Sequence, residues 1–143
     1  MTRHTLADET EPIEDAPDTP MPSRPAAIEL ASAILVVAGV IGLLGVGSMA
    51  LDPATAGDPF LVVTAALAIG SIAMGLLIRL GRSWILALNY VAVLGFLDLL
   101  GSGASPLALM LGLADIVVVV ILFANKPWFD AMRARRDSAR VSP

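Results

Sequence analysis

Residues 106–124 read PLALMLGLADIVVVVILFA: 19 residues with one ionisable side chain, Asp115, and no proline beyond the first position. A helix rises about 1.5 Å per residue and a bilayer core is about 30 Å thick, so a run of this length and apolarity predicts a transmembrane helix. Three similar stretches precede it, at 26–50, 60–80 and 83–100, with 25, 21 and 18 residues. Together the four occupy over half of a 143-residue chain that is 57% hydrophobic and 15% charged, with a mean hydropathy of +0.81. Soluble domains rarely have such a composition. Backbone in lipid must satisfy its own polar groups, and runs rich in Ala, Leu, Gly and Val without alternation are not barrel strands. The expected class is an all-α integral membrane protein, its four transmembrane helices forming an antiparallel bundle of two hairpins.

Turn chemistry punctuates these stretches. Ser23 to Pro25, Asp58-Pro59 and Ser105-Pro106 each offer a cap followed by a proline suited to a first helical turn. Gly81 and Gly101 suit the left-handed residue after a helix, and Asn125 with Pro127 stops the fourth span. No proline falls inside a span, unlike the broken helices on which many secondary transporters build their midplane sites, which counts against a pump. Small residues share faces at Ala31, Ala38, Gly42 and Gly45 in the first span and at Ala66, Gly70 and Ala73 in the second. Those two stripes are expected to meet, because close backbone approach drives helix association in lipid.

Residues 1–25 are of another kind, with Asp8, Glu9, Glu11, Glu14, Asp15 and Asp18 against Arg3 and Arg24, and five prolines. This composition predicts a disordered acidic tail. It lacks the basic n-region and short apolar core of a cleaved signal, so the first span is expected to be retained. All 9 basic residues fall on one side of the spans: Arg3 and Arg24 before the first, Arg79 and Arg82 at the second turn, and Lys126, Arg133, Arg135, Arg136 and Arg140 after the fourth. The loops at 51–59 and 101–105 hold only Asp52 and Asp58 as charges. Cytoplasmic loops collect Lys and Arg, so both termini are expected to be cytoplasmic in a multi-pass protein of the cell membrane.

Trp84, Trp128, Arg79, Arg82 and Lys126 are the expected interfacial anchors. The motif Arg82-Ser83-Trp84-Ile85 resembles Lys126-Pro127-Trp128-Phe129, a weak sign of two tandem hairpins. In the segment 125–143, Trp128, Phe129 and Met132 share one side of a short basic helix. That helix is expected to lie along the inner leaflet, its arginines on anionic lipid or an acidic partner. Nucleic acid is not an expected partner, since these charges form no groove or stacking platform.

Carboxylates at membrane depth are costly and mark candidate sites. Asp115, tenth of 19 residues, sits at the midplane with no basic residue at its depth. A protonated Asp115 donating a hydrogen bond to Asn89 or Tyr90, near the middle of the third span, would clasp the third and fourth helices. The competing role is a proton or cation carrier. Asp98, sixteenth of 18 in its span, reads as a solvated helix-end residue. Glu29, in the first turn of the first span, suits the helix dipole and is in reach of Arg79 and Arg82. Four spans with an acid in the first are loosely similar to the small multidrug-resistance transporters, whose first-helix glutamate binds proton and cationic drug in a dimer. The motifs of that family's second and third helices are absent, and Glu29 is shallower and turned away from the small-residue face, so no binding residues carry over.

The rest of the chain offers no catalytic chemistry. There are 0 cysteines, and the 1 histidine, His4, lies in the acidic tail, which removes thiolate and histidine metal sites and Ser-His-Asp catalysis. The glycines from Gly42 to Gly47 lie within a span and lack the Lys and Ser/Thr of a phosphate loop. No enzyme activity, cofactor or metal is expected. An accessory or scaffold subunit of a membrane complex is the favoured expectation, a homo-oligomeric transporter or channel using Asp115 or Glu29 the alternative.

Overall fold

A computed structural model describes residues 23–101, 103 and 105–141; the acidic tail expected over 1–25 lies, apart from its last three residues, outside the described residues. Five helices follow one another: α1 (Ala26–Ala50), α2 (Phe60–Arg79), α3 (Trp84–Gly101), α4 (Pro106–Ala124) and α5 (Lys126–Val141). No strand occurs among the described residues. Helices α1 to α4 are each long and apolar enough to cross a membrane.

Local chemistry fixes the helix ends. Asp58 accepts the Phe60 amide at 2.8 Å just before α2, and the Ser105 hydroxyl accepts the Leu107 amide at 3.2 Å ahead of Pro106 at the start of α4. After α2, Gly81 takes a φ of +64°, its amide bonding to the Ile78 carbonyl at 2.9 Å while the Arg82 amide reaches back to Leu77 at 3.0 Å. These paired bonds satisfy two orphan carbonyls and turn the chain sharply, which a residue with a side chain resists at that φ. Ser83 also takes a positive φ, 54°, so α3 begins at Trp84, one residue later than the sequence suggests. Asn125 ends α4, its amide and its side-chain Nδ2 both bonding to the Ile121 carbonyl.

The most extensive interface joins α1 to α2, the next α3 to α4, with smaller contacts from α1 to α4 and from α2 to α3. Backbones of α1 and α2 come within touching distance. A β-carbon on Gly39 would lie 2.5 Å from the Ala68 carbonyl oxygen, and one on Gly75 2.9 Å from the Ser32 carbonyl oxygen. The contact face of α2 is therefore Ala68, Ser71, Gly75 and Ile78. That corrects the expected stripe: Ala66 and Ala73 are exposed, Gly70 faces Tyr90, and a β-carbon on Gly45 of α1 would meet nothing within 4 Å.

Burial is concentrated at the end of the molecule that carries the basic residues, called here the basic end. In α1 the buried residues stop at Gly39 and in α2 they begin at Ala68. The core gathers Ile28, Leu35, Ile78, Ala87, Val91, Val118 and Leu122 with Trp128 and Phe129 of α5. Towards the opposite end the helix surfaces are open, with Leu44, Val62, Phe96 and Leu97 exposed.

Helix α5 departs from the expected arrangement. Its apolar side does not face outward to a leaflet: Trp128, 9% exposed, and Phe129 are buried against the bundle, and Trp128 and Met132 cover Gly81. The turn at Gly81, bare of a side chain, leaves the space the indole fills. Arg136 then donates to the Gly81 carbonyl at 3.0 Å. Trp128 Nε1 is buried without a hydrogen-bond partner, an arrangement that costs about 1–3 kcal/mol and is outweighed by burial of the ring, worth roughly 3–5 kcal/mol on truncation. Trp128 is thus a packing residue of the core. Trp84 is half-buried, its Nε1 donating at 2.8 Å to the Leu122 carbonyl at the end of α4 and its ring meeting Phe123 edge-on at 5.7 Å. Lys126 Nζ lies 5.7 Å from the Trp84 ring and pairs with Asp130 at 2.6 Å. Arg79 and Arg82 are exposed.

Candidate functional site

Asp115 enters the α3–α4 interface because two glycines let the helices close around it. A β-carbon on Gly95 of α3 would meet the Asp115 Cβ at 3.0 Å, and one on Gly112, a turn earlier on α4, would strike the Leu99 side chain at 2.9 Å. Residues Val91, Gly95 and Asp98 follow at helical spacing, so one face of α3 is turned to α4. Asp115 is 5% exposed, and no hydrogen bond links it to any described residue. It forms the polar floor of an outward-facing groove of about 280 Å³ whose walls are otherwise apolar, Val91, Phe96 and Leu99 on one side and Ile116, Val119 and Val120 on the other.

The expected partners do not close on it. Asn89 is exposed and returns its Nδ2 to the Ile85 carbonyl of its own helix at 2.8 Å. Tyr90 turns to α2, where its hydroxyl donates to the Leu67 carbonyl and lies 3.3 Å from Ser71 Oγ, the ring seated over Gly70. Tyr90 is one residue, about 100° of helix, from Val91 on the α4-facing side, and Asn89 is another 100° round. Tyr90 remains within electrostatic reach of Asp115 without bonding to it. The hydrogen-bonded clasp of Asp115 with Asn89 or Tyr90 is therefore not formed, and Tyr90 instead ties α3 to α2.

Two participants were not assigned from the sequence. Asp98 is half-buried rather than a freely solvated helix end, and it lies within electrostatic reach of Asp115. Gly95 sets how closely α4 approaches; its position three residues before Asp98 was the available signal. The chain matches no family model, no curated protein and no solved structure.

Glu29 is held elsewhere. At the basic end it is paired with Arg24 and, at 3.2 Å, with Arg79 Nε. Exposed pairs of this kind are screened by water and salt and contribute little. With both carboxylate oxygens engaged by guanidinium groups, Glu29 is arranged as a surface tie between the start of α1 and the end of α2. Among the described residues no cluster of three His, Cys, Asp or Glu side chains is arranged to hold a metal ion.

Proposed function

We propose that this chain is a multi-pass protein of the cell membrane, an antiparallel bundle of two hairpins with both termini cytoplasmic, and that it serves as a non-enzymatic accessory or scaffold subunit of a larger membrane complex. The observation that carries this reading is Asp115, a buried residue whose carboxyl opens on the floor of an apolar, outward-facing groove and bonds to none of the described residues. A carboxyl left so at membrane depth costs several kcal/mol, so a partner supplied from outside the chain has a large stabilising effect.

Charge complementarity names that partner. Asp98 and Asp115 lie within reach of one another, and every Lys and Arg of the chain lies outside the interiors of the four spans. A second copy therefore brings no cation to this depth. The groove fits a membrane helix of an unlike protein that carries a Lys or Arg near its midpoint, with small or branched residues beside it to pack on Gly95, Ile116 and Val120.

Because the chain has 0 cysteines, single-cysteine photocrosslinkers test the reading on a clean background. Probes at Ile116 and Val120 are expected to trap one partner in native membranes, on a span containing Lys or Arg, and to lose it in Asp115→Leu. A probe at Val62, exposed on α2, is expected to trap nothing specific. Equal labelling from all three positions, or self-crosslinking alone, contradicts the proposal.

The second reading is a homo-oligomeric, proton- or cation-coupled transporter, favoured by the nearness of Asp98 to Asp115. It requires that Asp115→Asn abolish a pH-gradient-driven flux in proteoliposomes with the fold intact; the accessory reading has no such flux.

A further inference from the structure

The docking of α5 leaves a second concave site. Between the Gly81–Ile85 turn and the outer side of α5 lies a cavity of about 500 Å³ lined by Lys126, Arg133, Arg136 and Arg140, with Asp130 and Asp137 also on its wall. Four cations against two carboxylates leave a net positive wall. Two of the cations are spoken for, Lys126 by Asp130 and Arg136 by the Gly81 carbonyl. Arg133 and Arg140 form no ion pair with a described residue. They lie seven residues, two helical turns, apart and so on one face of α5.

We propose that this cavity binds a phosphate group, carried by an anionic phospholipid of the adjoining leaflet. Guanidinium groups match phosphate oxygens bidentately, so Arg133 and Arg140 supply the recognition and Arg136, already fixed on Gly81, supplies a third, preset charge. The source is a lipid because the same cavity is bordered by Trp84 and Ile85, the first two residues of the α3 span, and Ile85 is 62% exposed. A headgroup held by the arginines leads its acyl chains directly down that exposed flank. The volume suits a phosphate and its glycerol, not the chains. Burial of Trp128 and Phe129 is what makes this a site: α5 cannot roll or insert its apolar side, so its basic side keeps one shape. Binding is therefore saturable, one headgroup per chain, in contrast to the diffuse attraction of a floating amphipathic helix.

The test uses the full chain in mild detergent, with phosphatidylglycerol titrated in and bound lipid counted by native mass spectrometry. One phosphatidylglycerol is expected to persist on each chain at collision energies that strip phosphatidylcholine. The variant Arg133→Gln/Arg140→Gln, which changes two side chains without an ion pair among the described residues and should keep its melting temperature, is expected to weaken that adduct by about tenfold or more, and Arg82→Gln, exposed outside the cavity, by less than about threefold. Millimolar inorganic phosphate is expected to leave the lipid in place. Several equivalent adducts, no preference over phosphatidylcholine, or equal losses in both variants overturn the site. Displacement by inorganic phosphate overturns the lipid as its ligand. None of these outcomes depends on what Asp115 binds.

Discussion

Gly39→Ala provides a sharp test of how α1 and α2 pack. Its new β-carbon would lie 2.5 Å from the Ala68 carbonyl oxygen, 2.7 Å from Ile72 Cγ1 and 3.1 Å from the Ile72 amide nitrogen. Two of those neighbours are backbone atoms that cannot rotate away, and an ordinary carbon–oxygen contact needs roughly 0.7–0.9 Å more, so the helices must separate. Overpacking of this kind costs about 1–3 kcal/mol, while alanine returns up to about 1 kcal/mol of helix propensity. Gly45→Ala, on the same helix, meets nothing within 4 Å and keeps only the gain. The two variants should differ by roughly 2 kcal/mol, several degrees in the melting temperature of the detergent-solubilised protein followed by its monodisperse elution peak. Gly42→Ala, whose β-carbon would sit 3.0 Å from the Ala68 Cβ, should fall between them. If Gly45→Ala is as damaging as Gly39→Ala, or Gly39→Ala melts like the parent, the close approach is not where it is described.

Other expectations follow from individual contacts. With Trp84→Phe leaving Trp128 as the single tryptophan, its fluorescence should be quenched little by lipids brominated in the acyl chain; strong quenching would mean that α5 inserts in the leaflet and not against Gly81. Trp128→Ala should cost roughly 3–5 kcal/mol and Trp128→Phe much less, since Nε1 has no bond to lose, both read as melting temperatures. Tyr90→Phe removes the hydroxyl from the Leu67 carbonyl and should lower stability by about 0.5–1.5 kcal/mol, whereas Asn89→Leu, which disturbs only a bond within its own helix, should be near neutral. Glu29→Gln should leave the melting temperature nearly unchanged, with any small loss vanishing in high salt.

The helices and most of their ends were legible because their signals are local, although Gly101, expected as a left-handed closing residue, is the last helical residue of α3. An apolar run of sufficient length has one solution in lipid, Ser105 before Pro106 caps α4, and Gly81 permits the left-handed residue that ends α2. Azimuth was less legible. Helix α2 carries Ala65, Ala66, Ala68, Gly70, Ser71, Ala73 and Gly75, so every face offers small residues, and Ala66-Gly70-Ala73 is no better marked than the Ala68-Ser71-Gly75 face that meets α1. The candidate site was legible in one residue and not in its neighbours. Asp115 stands out as the lone charge of its span, but whether Tyr90 bonds to it or to Leu67 turns on about 100° of rotation that Gly70 and Gly95 decide jointly. The apolar side of α5 was visible as a pattern; a leaflet and a bare glycine turn cover such a pattern equally well, and only the three-dimensional arrangement separates them.

Asp115 is proposed to find its partner on another protein. The most direct test is the mass of the complex released gently from native membranes, for the parent chain and for Asp115→Leu. One unlike membrane protein at fixed stoichiometry is expected with the parent, and its loss from the variant; a homo-oligomer or a lone chain in both cases would contradict a partner at Asp115.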